Sequence, residues 1–182
     1  MENKTYIFEN NLNIARSYVR EKEYSKALKF FNKAYKSDLG KKDIELIIDI
    51  ALLYDRLNYK ELALEKYKEV IEIDKEDPRA YYGIGIIYDD LQEFEKAIYY
   101  YKKTINIDEN YDRAYFYLAN IYDELSDKEN AIINYTKTLE LKKNDLWANA
   151  NLGSIYEELG EYKTAKEYML KALSIDENNY KV

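Results

Sequence analysis

The chain contains no cysteine and no histidine. The first absence excludes disulfide frameworks, thiolate metal sites and thiol nucleophiles; the second removes the usual general base and the commonest nitrogen ligand of metals. Most hydrolase and metalloenzyme templates fall with them, and no metal or other cofactor is expected. Breakers are scarce too: five glycines and one proline in 182 residues leave long stretches free to run as helix. No apolar run reaches the roughly 18 residues of a membrane helix. The best stretch, Ile44 to Tyr54, is interrupted by Glu45 and Asp49. The opening residues Met1 to Phe8 lack the apolar core of a signal peptide, so a cytoplasmic protein is expected. Excess positive charge is missing as well. With 28 basic against 35 acidic side chains the net charge is −7, which speaks against nucleic acid or an anionic membrane as the main partner.

What is present is repetition. The 22 tyrosines and many isoleucines favour strand by propensity alone, but their spacing decides otherwise. Tyr54, Tyr88, Tyr122 and Tyr156 recur every 34 residues, as do Ala63, Ala97, Ala131 and Ala165, and Leu57, Leu91, Leu125 and Leu159. A fixed period of this length signals a stacked array. Tyr18 and Ala27 fall in the same columns 36 residues earlier, so the first unit carries two extra residues near Leu39 to Lys42. The expected organisation is one array over 1–182, with units 8–43, 44–77, 78–111, 112–145 and 146–179, and 180–182 opening an incomplete sixth.

Each unit reads as two amphipathic stretches around a short turn, at Asn58-Tyr59, Gln92-Glu93, Ser126-Asp127 and Gly160-Glu161. Helix starts are marked by Asp77 before Pro78, and by Asn144 or Asp145 ahead of the helix carrying Trp147. Small residues sit where paired helices must cross closely: Ala15, Ala51, Gly85, Ala119 and Gly153 in the first helix, and Ala27, Ala63, Ala97, Ala131 and Ala165 in the second. Recurrent turns and a 34-residue period do not fit the sustained heptads of a coiled coil.

On these residues the chain resembles the tetratricopeptide repeat family. The family pattern reads here as Tyr81, Ile84-Gly85, Tyr88, Phe94 and Ala97 in the third unit, and as Leu152-Gly153, Tyr156, Tyr162 and Ala165 in the fifth. It departs from the family in having Lys75, Glu109, Lys143 and Glu177 where a proline is frequent, and Asn149, expected to loosen the last hairpin, where a large residue is usual. The resemblance implies an all-α, right-handed superhelical solenoid of five helix-turn-helix units. It also implies a non-catalytic interaction scaffold whose first helices line a concave groove for a peptide of a partner protein.

Carried over to this chain, the groove takes six positions per unit, thirty in all, and they divide the cations sharply. All five arginines, Arg16, Arg20, Arg56, Arg79 and Arg113, fall among them, and none of the 23 lysines does. Arginine offers a planar fork that holds carboxylates and stacks on aromatics, which suits recognition. The bland alternative is pairing between neighbouring repeats, for example Arg56 with Asp90. The signs also alternate along the rims: Glu9 and Glu45 give way to Arg79 and Arg113, while Arg20 and Arg56 give way to Asp90, Glu124 and Glu158. Asp89 and Asp123 reinforce the acidic stretch, unless these acids serve the start of the following helix.

Between the rims an apolar floor of Ile48, Leu52, Tyr82, Ile86 and Phe116 is expected, with Gly83 leaving room for a ligand side chain. Asn120 and Asn151 resemble the family's paired asparagines that hydrogen-bond a bound peptide backbone. The clamp for chaperone C-terminal carboxylates also needs bases beside them, and Phe116 stands where one would be, so a chaperone adaptor is not expected; Lys181 is the remaining candidate base. Asp89, Asp90, Asp123 and Glu124 repeat from unit to unit, which argues against an acid and base pair, because catalysis needs two different environments. Nothing in the sequence caps the last hairpin, so an apolar stripe around Ala165, Met169, Ala172 and Leu173 should be uncovered. That stripe makes a homo-oligomeric scaffold, joined through the C-terminal hairpin, the alternative to peptide binding.

Overall fold

The computed structural model describes the backbone of residues 2–179 and the side chains of residues 4–175. The start of a sixth unit at 180–182, with Lys181, lies outside the described residues. Among those described there are ten α-helices, one short 3-10 turn and no strand. The helices are α1 (Glu2–Arg20), α2 (Tyr24–Tyr35), α3 (Ile44–Arg56), α4 (Lys60–Ile73), α5 (Pro78–Asp90), α6 (Phe94–Ile107), α7 (Asp112–Glu124), α8 (Lys128–Leu141), α9 (Leu146–Glu158) and α10 (Tyr162–Asn179). None, among the described residues, is long and apolar enough to cross a membrane. Tyr67, Tyr101 and Tyr135 enter helices because their spacing puts them in one buried column, and tertiary burial of that column outweighs propensity.

The chain forms two compact units, Met1–Gln92 and Glu93–Val182. In the first, α1 packs on α2, α2 on α3, α3 on α4 and α4 on α5. In the second, α6 packs on α7, α7 on α8, α8 on α9 and α9 on α10. Each unit thus stacks hairpins through both faces of its inner helices. The cores follow from the columns: Ala15, Ala27, Ala51 and Ala63 in the first unit, and Ala119, Ala131 and Ala165 in the second, are all buried. Such residues let backbones approach. At Gly153 an added Cβ would lie 2.7 Å from Met169 Cγ.

The turns close in one way. Lys22, Asn58, Gln92, Ser126 and Gly160 all take a left-handed backbone, with φ between 57° and 78°. The next N–H then reaches back over the helix end: Tyr59 to the Tyr54 carbonyl, Asp127 to that of Tyr122 and Glu161 to that of Tyr156, each at 2.8 Å. Four of the five positions are not glycine, at a cost of about 1 kcal/mol each. The two extra residues of the first unit fall in the 3-10 turn Gly40–Lys42. Gly40 is required there, since a Cβ would sit 2.3 Å from the Ala34 carbonyl oxygen.

The starts of α3, α5, α8 and α9 are capped by carboxylates, whereas those of α2, α4, α6 and α7 have no side-chain cap. Asp43 accepts from Leu46 N–H, Asp77 from Arg79 N–H, and Asp145, rather than Asn144, from Ala148 N–H. The outer side of α1 is polar, with Asn10, Asn11 and Ser17 in the columns that α3 fills with Leu46, Ile47 and Leu53. The apolar stripe of α10 is narrower than the sequence suggests. Met169, Leu170 and Leu173 are exposed, whereas Ala165 and Ala172 are buried; Ala165 lies at the crossing with α9, where a Cβ on Gly153 would lie 3.4 Å from its carbonyl oxygen.

Candidate functional site

In the first unit the ends of α1 and α3, the start of α2 and Lys60 enclose a cleft of about 700 Å³. Its apolar part is Val19 and Leu52, the latter 51% exposed, above the buried ring of Phe31. Arg20 and Arg56 stand at its rim and are exposed, as is Arg16 one turn earlier on α1. Arg56 does not pair with Asp90. Its Nη1 donates to the Tyr24 hydroxyl at 2.9 Å, and its guanidinium lies 4.9 Å from the centre of that ring.

Asp90 is taken by a residue that the arginine pattern overlooks. Lys60, the first residue of α4, donates from Nζ to Asp55 at 2.6 Å and to Asp90. Burial of the ammonium alone would lower its pKa, but the hydrogen bonds from Lys60 to the two carboxylates raise it above the ordinary lysine value. Asp55 at the end of α3 thus serves the start of the following helix, as expected, whereas Asp90 at the end of α5 reaches back to the start of the preceding one, α4; in both cases the ammonium relieves the conflict of the carboxylate with its helix dipole. Asp49 lines the same cleft. Burial raises its carboxyl pKa, with Arg16 pulling it back and Glu45 and Asp43 adding to the rise.

Three other positions of this unit are more structural than the sequence implies. Arg79 is held by Asp77 through Nε and Nη2 and by Glu45 through Nη1, so its fork is occupied from within the unit. Burial would raise the Asp77 pKa, but the Arg79 side chain and N–H hold it below the ordinary value. Gly83 leaves no room for a ligand, because an added Cβ would fall 2.3 Å from Cζ of Tyr67, whose buried ring fills the space. Ile48, only 8% exposed, belongs to the core. Tyr82 and Ile86 are half-buried, Asp89 likewise, and Asp90 is exposed.

The second unit repeats the lysine arrangement. Lys128 opens α8 and binds Asp123 at 2.6 Å and Glu158 at 2.8 Å, and the hydrogen bonds to these two raise its pKa. Its asparagines are brought together by a residue absent from the expected set. The buried Tyr135 hydroxyl donates to Asn120 Oδ1 at 2.6 Å, and Asn151 Nδ2 donates to the Tyr135 oxygen at 2.8 Å and to Asn120 Oδ1 at 3.3 Å. Burial pushes the Tyr135 pKa upward, with only partial relief from the Asn151 hydrogen bond. Phe116 sits edge-on against Tyr117 and Tyr135, with centroids 5.6 and 5.8 Å apart. Arg113 and Glu124 are exposed.

Tyr135 could have been found from the same 34-residue spacing. Tyr67, Tyr101 and Tyr135 form a column, with Phe31 36 residues before Tyr67, and all four are buried. The column lies on second helices, outside the thirty first-helix positions.

Stacked hairpins with left-handed turns, small residues at the crossings and polar side chains on the first helices define a helical-repeat scaffold. Family models described as tetratricopeptide repeat match residues 8–40, 112–145 and 148–179, and also 78–111; a further model, described as TPR repeat, matches 57–92. The chain belongs to the tetratricopeptide repeat family. It is similar to crystal structures of MamA. One is 25% identical with a TM-score of 0.79, over 93% of this chain and 98% of that one. A second is 25% identical with a TM-score of 0.77, over 100% and 96%. A third, MamA 41-end from Desulfovibrio magneticus RS-1, is 19% identical with a TM-score of 0.79, over 94% and 96%, and supports the fold alone. No curated protein matches the chain. Family and fold together support a protein-interaction scaffold.

Proposed function

We propose that the chain is a non-catalytic scaffold that binds a peptide segment of a partner protein along its first helices. The observation that carries this reading is the cleft of the first unit. There exposed Leu52 and half-buried Val19 lie with Arg20 and Arg56, neither of which, among the described residues, is in an ion pair. An apolar anchor beside two guanidinium groups suits a segment with a hydrophobic residue next to a carboxylate. In the first unit Arg16, Tyr82, Ile86, Asp89 and Asp90 extend the surface, with Arg79 and Ile48 supporting it from within. In the second unit Arg113, Phe116, Asn120, Asn151, Asp123 and Glu124 supply the corresponding face. The net charge of −7 favours protein over nucleic acid as the partner. The lysine-bound carboxylates, arranged alike in both units, support the absence of catalysis. Affinity capture from a lysate of the source cells tests the reading. Arg20→Glu with Arg56→Glu should lose a protein that the wild type and an exposed-site control, Glu72→Lys, retain; equal capture by all three contradicts it.

A second reading is self-association through the last hairpin, favoured by exposed Met169, Leu170 and Leu173 around a hollow of about 300 Å³. Light scattering over a range of concentrations distinguishes it. A rising mass that Leu170→Lys with Leu173→Lys abolishes supports it, and a strict monomer excludes it.

A further inference from the structure

Asn149 stands in α9 where α5 and α7 carry Tyr81 and Tyr115, α3 carries Ile47 and α1 carries Asn11. Tyr81 shows what a ring in this column does: its hydroxyl reaches out of α5 and donates to the Lys75 carbonyl at 3.1 Å. Tyr115, on α7, interacts electrostatically with Lys137 of α8. Asn149 is too short to follow that path. Its Nδ2 turns back to the Asp145 carbonyl at 2.8 Å, and the side chain is buried against its own helix.

Beside Asn149 lies a cleft of about 510 Å³ in the second unit, lined among others by Leu139, Lys143, Asn149, Tyr168, Lys171 and Ser174. Two of these walls are the counterparts of what the earlier tyrosines approach. Lys143 corresponds to Lys75, 68 residues before, and Lys171 to Lys137, 34 residues before. The cleft thus opens beside the counterpart of the carbonyl that Tyr81 bonds, at a position where the two preceding first helices carry a tyrosine. Its charge is also biased. Among the described residues neither Lys143 nor Lys171 is in an ion pair, although Lys171 Nζ lies 4.7 Å from the centre of the Tyr168 ring, which itself stacks on Tyr156, while Glu140 is bound by Lys137 at 2.9 Å.

We propose that this cleft docks a tyrosine side chain of a partner peptide, flanked in that peptide by acidic residues, supplying in trans the ring that Tyr81 and Tyr115 supply in cis. The site is separate from the first-helix face and does not depend on it. The ring packs against Leu139 and Tyr168, the phenol donates to the Lys143 carbonyl as Tyr81 does to Lys75, and neighbouring carboxylates meet the two ammonium groups.

Two peptides test this on the full chain by NMR: acetyl-Asp-Tyr-Asp-amide and acetyl-Asp-Ala-Asp-amide. The tyrosine peptide should shift the Asn149 side-chain amide and the Ser174 amide in a saturable way, and the alanine peptide should bind at least about tenfold more weakly. Lys143→Glu with Lys171→Glu, both at exposed positions, should weaken the tyrosine peptide about tenfold. Asn149→Tyr should close the cleft, raise the melting temperature and abolish binding. Absence of a saturable shift at Asn149, equal binding of the two peptides, or full binding by the charge-reversed chain would each overturn the proposal.

Discussion

Two rings of one buried column, Tyr67 in the first unit and Tyr135 in the second, are treated in opposite ways, while Tyr101 between them stacks on Tyr117 with centroids 6.0 Å apart. In the first, Tyr67 presses its phenol end onto Gly83, and a side chain there is excluded by contact with the ring. In the second, Tyr135 meets Asn120 and Asn151, which enclose its hydroxyl in hydrogen bonds. A ring tip can be accommodated by removing a side chain or by satisfying its oxygen. The choice fixes what the first helices present. Asn120 and Asn151 direct hydrogen bonds inward, toward the fold, before any ligand is considered. The first unit has no such amides around its cleft and presents guanidinium groups instead.

The largest expected effect breaks the first solution. Gly83→Leu should cost about 3 kcal/mol through overpacking against Tyr67, seen as a lower thermal midpoint, and Tyr67→Ala in the same chain should restore part of it. Opening the second solution is milder. Tyr135→Phe leaves Asn120 Oδ1 and Asn151 Nδ2 short of a partner and should cost about 1–2 kcal/mol, with the Asn120 and Asn151 side-chain amide signals moving in NMR spectra.

The lysine bridges are shared by both units and sharpen the comparison by being alike. Because the Lys60 and Lys128 pKa values are raised on folding, their stabilisation is complete below the ordinary lysine value and is lost as pH climbs through the raised one. Lys60→Met and Lys128→Met should each lower stability by about 0.5–1 kcal/mol at neutral pH and flatten the decline seen above about pH 10 in melting experiments. The smallest effect concerns the turns. Asn58→Gly in the first unit and Ser126→Gly in the second should each stabilise by about 0.5 kcal/mol, since both relieve a left-handed residue at φ near 60°.

The hairpins and their turns were legible because each depends on local spacing and small residues that recur in register. The cap at Asp145 was legible to within one residue. The site was legible only in part. Reading the first helices alone picked out Arg20, Arg56 and Leu52, which do line one cleft, and the two asparagines, which do meet. It could not show that a second-helix tyrosine joins those asparagines, that Lys60 and Lys128 fold back onto carboxylates, or that Arg79 is engaged by Asp77 and Glu45. Apart from the local contact of Arg79 with Asp77, those facts depend on which side chains neighbouring helices bring opposite one another, and a lysine at the first position of a helix carries no local mark of a bridge.

Photo-crosslinking from position 52 tests the central claim most directly. With benzoylphenylalanine in place of Leu52, a single partner should be captured through one short segment bearing an apolar residue beside an acidic one. The same probe at Glu72 should not capture that partner. Capture of the partner from Glu72 and not from position 52 would contradict the account.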